Sequence, residues 1–221
     1  MVAVMKGGGL RERQKRRRAE QVLDAASRLF AHKGYEATGI EEIAKEAAVA
    51  PATVYNYFAT KPNLLMALAL RHVRAAIPER RAYLRDLPAA PLDGIRGFER
   101  LLAEQALRHL SRECWRVILS APFVDPGGKA SRTGIRLNDL IKRHYVQMLR
   151  TYQSRGALLP DVDPAALSNL IVGITTHDFG AFVSRASGTI DDLQAVGLPH
   201  LLIILTGLTP AGTPAVETGP A

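Results

Sequence analysis

The chain has 221 residues, of which 47% are hydrophobic and 23% are charged, as in an ordinary globular protein. This length is sufficient for one large core, or for a small domain joined to a larger one. The 29 Lys and Arg residues outnumber the 21 Asp and Glu residues, and the net charge of +8 favours a polyanionic partner. The single cysteine, Cys114, excludes an internal disulfide and fits a reducing cytosol.

No stretch of the sequence approaches the roughly 18 uninterrupted apolar residues of a membrane span. The N-terminus is basic, but no apolar segment or cleavage site follows it, as a secretory signal would require. The sequence therefore predicts a cytoplasmic protein with no membrane partner.

Residues 1–16 are predicted to be a disordered, basic arm. Six of the eight residues from 11 to 18 are Arg or Lys. Such a run is typical of a solvated, fraying helix start, or of an arm that follows a phosphate backbone into the adjacent minor groove. Both interpretations stay open at the level of sequence.

The stretch from 22 to 58 has the pattern of a helix followed by two short ones. In the first helix one face is apolar, with Val22, Ala25, Ala26, Leu29 and Phe30 at three- and four-residue steps. Thr38 and Glu41 have the spacing of a capping box, and we expect Gly34 to end the first helix with a left-handed backbone. A new helix begins at Pro51 after a tight turn, so the pair of short helices predicts a helix-turn-helix.

These residues resemble the N-terminal domain of the TetR family of transcriptional regulators. The resemblance rests on matches in the correct order over about a quarter of the chain: Leu29-Phe30, Gly34-Tyr35, Thr38, Ile40, Ile43-Ala44, Ala47, Val49, the run TVYNYF at 53–58, and Thr60-Lys61 with Leu64-Leu65. Three positions depart from the family pattern. Ala48 stands where the family usually has Gly in the turn, Ala50 replaces a capping Ser or Thr, and Pro62 replaces a Glu.

The resemblance implies that the second short helix enters a DNA major groove. The DNA-binding residues that it implies are Thr38, Ala50, Pro51, Ala52, Thr53, Tyr55, Asn56, Tyr57 and Lys61. We expect Thr53 and Asn56 to reach base edges, and the two tyrosines and Lys61 to reach phosphates. Because residues 50–52 offer no polar side chain, apolar contact with thymine methyl groups and DNA shape should supply much of the specificity.

The helical periodicity of apolar residues continues to about residue 207. We predict further helices over 61–79, 94–110, 113–120, 131–155, 164–186 and 191–207, and a disordered tail over 210–221. No strand-like alternation occurs. The fold class is therefore all-α, with about nine helices in a DNA-binding domain at 17–77 and a second domain at 78–209.

The resemblance implies that the second domain binds an effector and dimerises. The last two predicted helices are apolar on more than one face, which supports a homodimer formed through them and a palindromic operator with half-sites about one turn, roughly 34 Å, apart. Candidate ligand contacts are polar or aromatic residues on otherwise apolar helices: Trp115, Tyr145, Tyr152, His177 and Asp178. Each of them is also compatible with a core or interface residue.

The motifs of several enzyme classes are absent from the sequence: there is no G-x-S-x-G, no glycine-rich phosphate loop and no H-E-x-x-H. We therefore predict no catalytic residue, no cofactor and no metal site. The predicted function is a repressor of transcription that a small-molecule effector releases from double-stranded DNA, through a swing of the fourth helix. The alternatives are an activator or co-repressor-dependent regulator of the same fold, and a helical small-molecule carrier.

Overall fold

The computed structural model describes residues 9–209, and within that range every regular element is an α-helix. The prediction of an all-α fold of about nine helices is confirmed. The helices are α1 (Leu10–Lys33), α2 (Ile40–Glu46), α3 (Pro51–Phe58), α4 (Lys61–Arg85), α5 (Pro91–His109), α6 (Arg112–Val124), α7 (Lys129–Ser154), α8 (Pro164–Ser184) and α9 (Ile190–Leu205). The tail predicted at 210–221 lies outside the described residues.

Helix α1 begins well before the apolar face that predicted it. The basic run from 11 to 18 is helical and exposed, and the first buried side chain is that of Val22. The prediction of a disordered arm over 1–16 is therefore wrong from Leu10 onward, while residues 1–8 lie outside the described part. The physical reason is that Arg, Lys, Gln and Glu are good helix formers, so a helix nucleated by the packed half extends through them.

The helix-turn-helix forms as predicted, but with a different start. Thr38 is buried and its hydroxyl donates to the carbonyl of Gly34 at 2.7 Å, so it does not accept from Glu41. Gly39 is the N-cap of α2 and no side chain caps that end, which makes the predicted capping box wrong. Gly34 follows α1 with a φ of +88°. In the turn between α2 and α3, Ala48 has a φ of +52°, a left-handed conformation that is costly for a residue with a Cβ.

Helix α4 is longer than predicted and contains Pro78. It runs to Arg85 rather than ending near Glu79, because its last turns pack against a second core through Leu84 and Tyr83. The Tyr83 hydroxyl donates to the carbonyl of Gly94 at 2.9 Å and so attaches α4 to the start of α5. Tertiary packing therefore outweighs the one backbone hydrogen bond that the proline removes.

The helices of the C-terminal part lie close to their predicted ranges. Asp163 caps α8 by accepting from the amide of Ala165, as its position before Pro164 predicts. Thr189 and Asp192 form a complete capping box at the start of α9. Both caps satisfy amides that have no partner inside their helices.

Two hydrophobic cores hold the chain together, and neither follows the predicted domain boundary at residue 77. The first core contains the buried faces of α1, α2, α3 and the first half of α4, and it continues into α6 and the start of α7 through Cys114, Ile118 and Leu137. The second joins the end of α4 to α5, α7, α8 and α9 around Phe98, Tyr145 and Tyr152. Helix α6 is thus packed as part of the helix-turn-helix core. Among the described residues, no helix has the length and apolar character needed to cross a membrane.

The backbone of Ala48 generates a stability prediction. Replacing Ala48 by Gly should raise the free energy of unfolding by about 1 kcal/mol, because glycine adopts a positive φ without a steric penalty. Chemical denaturation followed by circular dichroism measures the change. As the matched control, Ala75→Gly in the exposed middle of α4 should lower stability by about 1 kcal/mol, since there glycine only loses helix propensity. Equal destabilisation by both substitutions would contradict the assigned strain.

Candidate nucleic-acid interface and central cavity

Helix α3 presents an outward face that has few contacts with the rest of the chain. Ala50, Pro51, Ala52, Tyr55 and Asn56 are exposed, and 47% of the Tyr55 surface is accessible. The opposite face is fixed in the first core through two buried anchors, Val54 and Phe58. A helix anchored on one side and free on the other can be laid into a major groove without losing its own packing.

The remaining residues predicted to contact DNA are less accessible. Thr53 is partly buried, and Tyr57 packs edge-to-face on Phe58 with ring centroids 6.3 Å apart. Thr38 is 1% exposed and its hydroxyl is already bonded to a backbone carbonyl. Contact of the Tyr57 hydroxyl with a phosphate stays a prediction.

Lys61 holds the loop between α1 and α2 from the start of α4. Its ammonium donates to the carbonyls of Tyr35, Glu36 and Thr38 at 2.9, 3.3 and 3.1 Å, and it lies 4.3 Å from the centre of the Tyr35 ring. An ammonium has three N–H donors, so these contacts use all of them. Contact of Lys61 with a phosphate stays a prediction, and in the free protein its hydrogen bonds stabilise the loop.

Glu113, in the first turn of α6, binds the same loop from the other side. Its carboxylate accepts from the amides of Tyr35 and Glu36 at 2.9 and 2.8 Å. Gly34 makes this approach possible, since a Cβ at that position would lie 2.7 Å from a Glu113 oxygen. We call Glu113, Lys61 and residues 34–38 the loop clasp. Through it, α6, which also packs against α7 and α8, holds the loop that leads into the helix-turn-helix.

A cavity of about 390 Å³ lies between the two cores. Helices α4 to α9 all contribute to its wall, which is mostly apolar. Its volume falls within the roughly 300–1,000 Å³ of pockets that hold small molecules. Close to its edge, Phe123 and Ile135 are exposed, which gives the cavity an apolar rim.

Three of the five predicted ligand residues line this cavity and two do not. Trp115, Tyr145 and Asp178 are in its wall. Tyr152 lies inside the second core and its hydroxyl donates to the carbonyl of Pro88 at 3.0 Å. His177 is exposed on the outer face of α8. The structure therefore removes Tyr152 and His177 from the cavity, because a helix turns neighbouring residues by about 100° and separates His177 from Asp178.

Several polar residues in the wall were missed by the sequence reasoning. His72, Arg80, Glu99 and Gln105 all line the cavity. Burial, followed by the nearby Asp178 carboxylate, raises the pKa of Glu99 to about 8. His72 stacks on His109 with ring centroids 4.4 Å apart, and burial lowers the pKa of His72 to about 4. In the sequence these four are polar residues on predicted helices, and polar residues on solvated helix faces give the same signal.

The groups that could bind a metal are dispersed. Within residues 9–209 there is no cluster of three or more His, Cys, Asp or Glu side chains suited to a metal ion. The Asp178 carboxylate is instead 2.8 Å from the Nδ1 of His200 on α9.

Comparison with known proteins identifies the N-terminal part of the chain most clearly. Residues 22–68 match the family model described as bacterial regulatory proteins of the tetR family. The helix-turn-helix is a TetR-family DNA-binding domain. The chain is a DNA-binding transcriptional regulator, and this domain is the part that the family model covers.

Relatives of this chain extend the match beyond the first domain. The transcriptional regulator UidR of Escherichia coli K12 is 24% identical over 159 residues, which are 70% of this chain and 76% of UidR. The fatty acid metabolism regulator protein of Bacillus subtilis is 41% identical, but only over 56 residues, 25% of this chain and 29% of that protein. Identity is therefore highest in short matches and lower where the match is long.

Solved structures share the fold of both parts. The TetR-family repressor FadR of Thermus thermophilus, in complex with lauroyl-CoA, superposes with a TM-score of 0.70 at 21% identity, covering 89% of this chain and 98% of FadR. SmeT, the repressor of the multidrug efflux pump SmeDEF of Stenotrophomonas maltophilia, gives a TM-score of 0.62 at 20% identity, with 92% and 96% covered. At these identities the likeness concerns the fold.

The loop clasp yields a second stability prediction. Glu113→Gln should lower the free energy of unfolding by about 1–2 kcal/mol. The substitution removes the charged acceptor of two backbone amides, and it places a side-chain NH₂ group against one of these amides, so that two donors meet. Urea denaturation measures it. The control is Glu104→Gln on the exposed face of α5. Glu104 forms an exposed ion pair with Arg100, and its substitution should change stability by less than about 0.5 kcal/mol. Indistinguishable values for the two variants would show that the clasp contributes nothing.

Proposed function

We propose that this chain is a homodimeric repressor that leaves a palindromic operator when a small-molecule effector occupies the central cavity. The observation that carries the proposal is the loop clasp, because one helix, α6, both lines the cavity and holds the DNA-binding unit. The repressor is proposed to act in the cytoplasm, where its DNA target lies. FadR, a TetR-family repressor, has been solved in complex with lauroyl-CoA, and this supports a small-molecule effector of some kind.

The proposed coupling runs along α6. Glu113 lies two residues before Trp115, and Trp115, Ile118 and Leu119 line the cavity. A ligand that favours a displaced α6 would move the Glu113 carboxylate away from the amides of Tyr35 and Glu36. Since Lys61 joins the start of α4 to the same loop, α4 would move with it, in agreement with the expected swing. An effector acts in this way only to the extent that it binds one of the two conformations better than the other.

The DNA-binding residues of the proposal are those of the exposed face of α3, together with the basic start of α1. The side chains of Tyr55 and Asn56 are exposed and carry polar groups, and the side chains of residues 50–52 are apolar. Six cationic side chains in residues 11–18 project from about three turns of helix that precede the core. We propose that they contact phosphates, which would position the protein on DNA without reading its sequence.

The dimer is proposed to form through the outer faces of α8 and α9. Leu170 on α8 and Val196, Leu202 and Ile203 on α9 are exposed, and 74% of the Ile203 surface is accessible. On the same face of α8, Gly173 has open space above its Cα, which permits the close approach of a second helix. Contiguous apolar exposure on two adjacent helices is unusual in a monomer and is typical of an interface.

The regulator proposal predicts specific, salt-dependent DNA binding. The protein should bind the duplex upstream of its own gene more tightly than a scrambled duplex, and log K should fall linearly with log salt concentration. Tyr55→Ala should weaken specific binding about tenfold, as expected for the loss of one phosphate or base contact, without changing the melting temperature. Fluorescence anisotropy across a salt series measures both affinities. Equal, weak binding to the two duplexes would favour the carrier alternative.

The dimer proposal predicts the oligomeric state of surface variants. The wild-type protein should have about twice the chain mass of 24.0 kDa in light scattering after gel filtration. Ile203→Glu should give the mass of the monomer, because a charge would be buried without a partner at the interface. Val124→Glu, at an equally exposed apolar residue on α6, should leave the dimer intact. A dimer that survives Ile203→Glu and dissociates with Val124→Glu would place the interface elsewhere.

A further inference from the structure

Four polar atoms in the cavity wall have no hydrogen-bond partner among the described residues. They are the Nε2 of His72, the Nη1 of Arg80, the Oε1 of Glu99 and the hydroxyl of Tyr145. Buried polar atoms are normally paired, since an unpaired one costs free energy. All four atoms belong to residues that line one cavity, so these residues are the candidates for polar contacts with a molecule that occupies it.

Among these groups Arg80 is exceptional because it carries a charge that it cannot lose. Only 4% of its surface is exposed, and burial lowers its pKa to about 10, so it remains a cation at neutral pH. Its Nε donates to the Oε1 of Gln105 at 2.7 Å, and Gln105 in turn donates to Glu79 at 2.8 Å. Glu79 is itself paired with Arg108. Within the described part of the chain, Arg80 forms no salt bridge.

The two acidic groups of the cavity are in a different situation. Glu99 can become neutral by holding a proton, as its raised pKa of about 8 indicates, and then needs no counter-ion. The Asp178 carboxylate is hydrogen-bonded to His200 at 2.8 Å. Among the described residues, neither of these carboxyl groups forms a salt bridge with Arg80. The guanidinium is therefore a buried cation without an anionic partner, and such a group binds a carboxylate with favourable geometry.

We propose that the effector is an amphipathic organic acid, whose carboxylate pairs with Arg80 and whose apolar body fills the rest of the cavity. This inference rests on the proposed function and adds the chemical class of the effector. The Tyr145 hydroxyl donates to the same carboxylate. The apolar body lies against Trp115, Ile118 and Phe179, and its far end reaches the rim at Phe123.

The proposal excludes the ester of the same acid as a good ligand. An ester retains the apolar body but has no negative charge, so the guanidinium would stay uncompensated when the cavity is filled. An amine of the same length would bring a second positive charge into the cavity of Arg80. The class of ligand is therefore decided by the charge of the head group when the apolar body is kept constant.

The test uses the full chain and three probes of equal chain length: decanoate, methyl decanoate and decylamine. Binding is followed by the fluorescence of Trp115, the only tryptophan, and by calorimetry. Decanoate should bind at least about tenfold more tightly than the other two, since one charge-assisted pair is worth about 1.4 kcal/mol or more. Arg80→Gln should reduce decanoate affinity to that of the ester. Arg81→Gln, at the exposed neighbouring position on α4, should leave it unchanged.

A second variant covers the case in which Arg80→Gln does not fold. Tyr145→Phe removes only a hydroxyl, and it should weaken decanoate about threefold to tenfold while leaving the ester unaffected. Equal affinity for acid and ester, tighter binding of decylamine, or unchanged decanoate binding by either folded variant would overturn the proposal. Specific binding of the ligand-free protein to its upstream duplex is measured separately. If the protein binds its upstream duplex specifically but does not bind decanoate, the proposed regulatory function is retained and only the proposed class of effector is wrong.

Discussion

The carboxylate of Glu113 on two backbone amides is the contact on which the rest of the architecture depends. The loop that it holds has no regular structure of its own, yet it determines how α1 meets α2 and therefore where α3 points. Lys61 binds the carbonyls of the same loop, so residues 34–38 lie between a negative group from α6 and a positive group from α4. A loop with both its donors and its acceptors engaged is fixed in the free protein.

The position of the cavity gives this contact its significance. The first core includes Cys114 and Ile118 of α6, so the helix-turn-helix has no boundary of its own at the end of the family match. The cavity lies where this core meets the second, and filling it has to affect helices that belong to both. Packed cores are bistable rather than softly deformable, which is why a small displacement of α6 can become a change in the recognition helix.

Much of the fold could be predicted from periodicity and caps. Local signals were sufficient in α1, where Val22, Ala26 and Phe30 are four residues apart, and at the start of α8, where Asp163 precedes Pro164. At both places the tertiary packing is compatible with the local structure that the sequence predicts. The errors arose where packing or propensity outweighed a local signal. The charge run at 11–18 continues a helix, α4 passes Pro78 because Leu84 is buried beyond it, and Thr38 is drawn away from its cap by the Gly34 carbonyl.

The site was only partly predictable for a related reason. The exposed residues of α3 follow from the buried pair Val54 and Phe58, whose spacing determines the free face. Arg80 and Glu113 are charged residues on helices, and in the sequence they cannot be told apart from the many arginines and glutamates that face solvent. Their roles depend on what other helices bring near them. The contacts between Glu113 and residues 35 and 36 cross 78 and 77 positions of sequence, which no local pattern encodes.

Amide hydrogen exchange in residues 34–38 tests the central claim most directly, namely that α6 holds the entrance to the helix-turn-helix through Glu113. Wild-type protein and Glu113→Gln would be compared by NMR or mass spectrometry without DNA or ligand. The account predicts that the amides of Tyr35 and Glu36 exchange faster in the variant, while the amides of α9 keep their wild-type rates. Equal protection of Tyr35 and Glu36 in the two proteins would contradict it, and α6 would then have no direct hold on the DNA-binding unit.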